Sequence, residues 1–127
     1  MPILGLHISN VIASGKNGMK AYNTQGMELH SVQLNVENGP AFLVLNSKDL
    51  LLDGISTLQP TPGTPVVRLD HCPNSILRGS RAFAGTGVFL SVPPGELKDI
   101  VMEGNTLDKA QMAVEEAILD FLHPLQK

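Results

Sequence analysis

The sequence predicts an α+β domain: a mainly antiparallel sheet of about five to seven short strands, with one C-terminal amphipathic helix packed on it. Three observations carry that expectation. Several segments alternate apolar and polar residues with period two, as half-buried strands do. Tight-turn dipeptides separate them. An apolar stripe with intervals of three and four residues runs from Leu107 to Phe121.

Ile3 to Ile12 reads as a first strand, with Leu4, Leu6 and Ile8 on one face. Asn17-Gly18 reads as a hairpin turn, because both residues tolerate positive φ. It leads to a short strand over Met19 to Thr24, ended by Gln25-Gly26. In Met27 to Val36 the apolar residues change parity near His30-Ser31, which predicts either a bulge or a strand covered on both faces. Glu37-Asn38-Gly39-Pro40 reads as a second turn. The unbroken apolar run Ala41 to Leu45 then predicts a central strand buried on both sides.

Leu50 to Leu58 fits a short capped helix weakened by Gly54. Pro60, Pro62 and Pro65 make the next stretch a loop. Val66 to Asp70 and Val88 to Val92 read as strands, with turn formers over 71–85 and a turn of helix near Glu96 to Val101. The terminal helix is capped by Asn105 or Thr106. Leu107, Ala110, Val114, Ala117, Ile118 and Phe121 form its apolar stripe, and Pro124 stops it. No internal repeat stands out.

Composition narrows the function. The chain of 127 residues fits one domain, and 43% hydrophobic against 17% charged residues supplies a core rather than a disordered segment. A net charge of −3, scattered Lys and Arg and only 4% aromatics argue against nucleic acid, which asks for a basic surface and stacking platforms. The N-terminus has no basic, long apolar leader, and no apolar run approaches the roughly 20 residues of a membrane span. With a lone Cys72, which makes no internal disulfide, these features predict a soluble cytoplasmic protein.

Chemistry, if present, concentrates in residues 68–87. Cys72 beside His71 and Asp70 offers a nucleophile, a base and a carboxylate. Adjacent residues of an extended chain face opposite ways, however, so His71 is badly placed to activate Cys72. Ser75 or Ser80 with His71 and Asp70 lacks any nucleophile-elbow spacing. His7, His30, His71 and His123 show no metal-ligand spacing, so no metal and no cofactor are expected, although His7 and His30 could meet across neighbouring strands. Arg78 and Arg81, followed by Gly85-Thr86-Gly87, offer guanidiniums, a hydroxyl and backbone N–H groups for a phosphate or carboxylate. Asp108, Glu115, Glu116 and Asp120 would line the outer side of the terminal helix, mostly as a solvated surface.

The reading that follows is a small non-catalytic protein acting through protein–protein binding or self-association, with a homodimer expected because short open sheets leave edges to cover. The alternative is a small enzyme or ligand-binding domain with an anion site built on Arg78, Arg81 and Thr86.

Overall fold

A computed structural model describes residues 3–118. It overturns the predicted class. Among the described residues ten strands form, and every strand pairing is parallel. They are β1 (Ile3–Leu4), β2 (His7–Tyr22), β3 (Thr24–Gln25), β4 (Glu28–Leu45) and β5 (Leu51–Asp53), then β6 (Val67–Asp70), β7 (Ser75–Arg78), β8 (Val88–Val92), β9 (Ile100–Glu103) and β10 (Met112–Glu116). The chain is a β-solenoid. Each turn of chain lies on the previous one, so a residue pairs with another 21 to 25 positions later, as His7 with Glu28 and Leu51 with Ile76.

Like residues therefore stack along the axis. Leu29, Leu52 and Leu77 form one inward column, with Ile8 above and Met102 below; Phe42, Val67 and Leu90 form another, with Met19 and Val114 at its ends. The middle members are fully buried and the end members only partly. Alternation was read correctly as one face in and one face out. What it cannot disclose is whether the next strand runs back alongside or comes round again. The central position of Ala41 to Leu45 is found, since β4 sits mid-sheet and its residues 41–44 are buried.

The turn formers bend the chain at corners instead of reversing it. Asn10, Ser31, Gly54, Gly79 and Gly104 all have φ between 52° and 72° and occupy the same corner of five successive turns. The parity change near His30-Ser31 is this corner, not a bulge. Asn17-Gly18 lies inside β2 and makes no hairpin. A Cβ on Gly18 would stand 2.2 Å from the Pro40 carbonyl oxygen and 2.4 Å from that of Ala41, so glycine is needed there for close approach to β4. Residues 50–58 carry β5 and a corner, not a helix.

The C-terminal helix is also corrected. Over the described part of residues 105–118 there is no helix; Met112–Glu116 is a strand in register with β8, Val114 against Leu90. The exposed edge of β8 offers backbone partners that outweigh a weak local helix preference, and an interval of three or four recurs by chance in so short a segment. The one helical element among the described residues is the 3-10 turn Leu97–Asp99. Asp120, Phe121, His123 and Pro124 lie outside the described residues. No helix among the described residues is long and apolar enough to cross a membrane.

Candidate functional site

Three features gather polar or unpartnered groups: a corner cluster around His71, a charge ladder along one sheet, and the open first turn.

The corner cluster grows from β6. Val67 and Leu69 point inward, so Arg68 and Asp70 point outward by alternation, yet Arg68 is only 2% exposed. Its Nη1 donates to Ser91 Oγ and to the Ala117 carbonyl, both at 2.8 Å, and Nη2 lies 3.3 Å from Asp70 Oδ2. Its Nε has no partner among the described residues. His71 follows at the corner with φ +58°, and this turn carries its ring onto the Asp70 carboxylate through Nδ1. Glu96 closes the other side: its Oε1 accepts the His71 backbone N–H at 2.8 Å, and its Oε2 lies 3.5 Å from Nε2. Asp70, His71 and Glu96 thus bring ligand atoms within 4.8 Å of one another. The guanidinium against Asp70 opposes a cation there, because that carboxylate is already neutralised.

Beside this cluster runs an open groove of about 520 Å³, lined at matching corner positions by Asn23, Gln25, Asn46, Lys48 and His71. Three turns of the solenoid contribute, each with an amide, ammonium or imidazole donor. Cys72 takes no part. It faces the interior, where its thiol donates to the Val44 carbonyl at 3.4 Å, and burial pushes its pKa up to about 11.

The remaining residues singled out in 68–87 are dispersed. Arg78 lies on β7 with Nε 3.4 Å from Asp53 Oδ2, while Arg81, in the next segment, stacks over the Phe83 ring at 4.7 Å. Thr86 is buried and its hydroxyl donates to the Phe83 carbonyl at 2.7 Å. Ser75 and Ser80 bond local backbone, at Pro73 O and Arg78 O.

The ladder was not foreseen. Outward positions of successive turns stack His30, Asp53, Arg78 and Glu103 in one column, with Gly79 and Gly104 leaving a shallow trough of about 410 Å³ at its flank. His30 Nδ1 lies 3.5 Å from Asp53, and Nε2 2.8 Å from Glu28 Oε1. His7, one turn earlier, reaches the other Glu28 oxygen at 3.4 Å, so His7 and His30 meet on one carboxylate. The His30 bond holds Glu28 below its ordinary pKa, and the same bond raises that of His30. The signal was present in Leu52-Asp53-Gly54, Leu77-Arg78-Gly79 and Met102-Glu103-Gly104, an apolar–charged–glycine triplet recurring every 25 residues.

The third feature is an edge. Strand β2 pairs with β4 and, among the described residues, with nothing on its other side. Inward-facing Ile8, Val11 and Met19 are only partly covered, and Ile3, Leu4 and Ile12 are 53%, 69% and 78% exposed. No protein-family model, curated protein or solved structure matches this chain.

Proposed function

We propose that this chain is a non-catalytic association module that accepts a strand of a partner protein along β2. One observation carries the reading. A strand of 16 residues shows a line of N–H and C=O groups unpaired among the described residues, above apolar side chains that, among those residues, lack the covering turn their equivalents enjoy deeper in the solenoid. Such an edge templates strand addition, with main-chain bonds for affinity and inward side chains for register. A solenoid needs its end turns covered, and a partner strand over Ile8, Val11 and Met19 would do so. The lone buried thiol of Cys72 fits a reducing compartment, which is why the cytoplasm remains our assignment.

The test is hydrogen exchange along β2 combined with lysine substitution at Val11 and Ile12. Partner binding is expected to slow the amides of residues 7–22 that face away from β4, and Val11→Lys with Ile12→Lys is expected to abolish it. Association that persists in the double variant, with those amides unprotected, refutes the reading.

A second reading is favoured by the corner groove. We propose that its side-chain donors, Asn46, Lys48 and His71 above all, hold a small carboxylate or phosphate. A phosphate-dependent rise in Tm that Lys48→Ala removes is the expected result; no rise up to about 50 mM phosphate, a concentration that would stabilise through even a millimolar Kd, sinks it.

A further inference from the structure

We propose that a second copy of this chain docks on the outer face of β5, β7 and β9, related to the first by a two-fold axis along the strand direction. This surface is separate from the β2 edge, so the inference does not depend on strand addition there. The argument is charge order. Read along the solenoid axis, the outward column is His30, Asp53, Arg78, Glu103. His30 touches the carboxylates of Glu28 and Asp53, both of which favour its cationic form. With His30 protonated, the column alternates positive, negative, positive, negative.

A two-fold axis between the turns of Asp53 and Arg78 reverses that order on the facing copy. His30 then meets Glu103 of the second copy, Asp53 meets Arg78 of the second copy, and the reciprocal pairs follow by symmetry. Each charge gains an opposite charge across the interface while keeping its opposite neighbours within the ladder. The pattern becomes a checkerboard, which is the self-complementarity an isologous contact requires. The adjoining outward column brings Leu51 against Ile76 of the second copy at the centre. The glycine corners beside the ladder leave the surface shallow enough for close approach. Val101, 54% exposed, falls at the rim against Glu28 of the second copy.

The contact is small. From the turn of His30 to that of Glu103 is about 14 Å at a strand spacing of about 4.8 Å, and strands of three or four residues span about 10–13 Å, so the face is on the order of 200 Å², well short of the roughly 800 Å² per partner of a standard interface. A weak, transient dimer is therefore expected, and the test is set to detect a Kd on the order of 100 µM.

The experiment is sedimentation equilibrium of the full chain up to about 1 mM, roughly ten times that Kd. Variants Asp53→Arg and Arg78→Asp each place like charges face to face across the axis and should each weaken dimerisation at least about tenfold. Mixed together they restore opposite charges at both central positions and should form a one-to-one heterodimer near wild-type strength. A purely structural role for these side chains cannot produce rescue on mixing. Circular dichroism and urea midpoints check that both variants fold; if either does not, Asp53→Asn and Arg78→Gln replace them, each expected to weaken the dimer at least about threefold as both symmetry-related central pairs are lost. A wild-type protein still monomeric at about 1 mM overturns the proposal, as does undiminished dimerisation of the variants. The Val11→Lys, Ile12→Lys variant distinguishes the two surfaces, because it should lose partner strands and keep this dimer.

Discussion

Replacing Gly54 with alanine tests the corner geometry on which the solenoid depends. The residue sits at φ +72°, and an added Cβ would meet Ser31 N at 3.5 Å and Ser31 Cα at 3.6 Å, ordinary contacts that require no displacement. The cost is thus conformational. Left-handed backbone disfavours an L side chain by about 1–2 kcal/mol, while the stiffer unfolded chain returns about 0.4–1 kcal/mol. The net loss is about 1 kcal/mol, or about 3–5 °C in Tm for a chain of this size. Gly87 is the control, because its backbone is not left-handed and nothing lies within 4 Å of its Cβ position. Ser31→Gly, at the same corner one turn earlier with φ +55°, should recover a similar amount. Urea unfolding of the three variants reads the differences directly. Gly54→Ala proving as harmless as Gly87→Ala would refute the account of the corner column.

Four further outcomes follow from the packing. Gly18→Ala drives a Cβ into the backbone oxygens of Pro40 and Ala41 and should destabilise by about 3 kcal/mol or more, seen as a lowered urea midpoint with lost protection in β2. Arg68→Met leaves the buried Asp70 carboxylate without its guanidinium and should cost about 3–5 kcal/mol, whereas adding Asp70→Asn should recover part of that loss in a double-mutant cycle. With its pKa raised to about 11, Cys72 holds only about one thousandth of its thiol as thiolate at pH 8, so alkylation should be negligible until the chain unfolds; stability should fall as pH rises from about 9 toward 11, because only the unfolded thiol ionises there. His30 should titrate by NMR above an ordinary histidine, and Glu28→Gln should lower that midpoint more than Asp53→Asn does. The His30 contribution is complete below the ordinary histidine pKa and lost as pH climbs through the raised one. Glu28 acts oppositely, its share present above the ordinary carboxylate range and lost as pH falls through its depressed value, so the pair is most stabilising between the two.

The longer alternating or apolar strands were legible because they rest on a local pattern; the short strands β5, β7, β9 and β10 were not, and fell in segments expected to be helix or turn. Val67 to Asp70 and Val88 to Val92 were found within a residue of their observed bounds. Strand direction was not legible. An Asn-Gly pair suits a reversing turn and a strand crossing tightly over its neighbour alike, and nothing within a few residues of Asn17-Gly18 tells them apart. The discriminating information is long-range: the recurrence of an apolar residue, a charge and a left-handed glycine at 52–54, 77–79 and 102–104. The two earlier turns hide it, since Asn10 and Ser31 stand where glycine stands later, and the step shortens from 25 to 21 residues.

The same geometry explains why reading reactive residues as neighbours in sequence led toward 68–87. On a solenoid, chemistry assembles down a column, one residue per turn, and sequence neighbours are sent to opposite faces. Cys72 and His71 demonstrate the rule by facing interior and solvent. Asp70 and His71 escape it because the left-handed corner at His71 folds the ring back onto the preceding carboxylate. Arg78 and Arg81, close enough in sequence to share an anion, are divided by the corner at Gly79, and Arg78 answers instead to Asp53, 25 residues away. A column can be continued in two ways: along the axis, by adding a turn over β2, or across the face, by matching its charges with one reversed copy. The backbone line of β2 left unpaired among the described residues and the charges of the ladder supply what each requires, on separate surfaces, so the two proposed contacts would not compete.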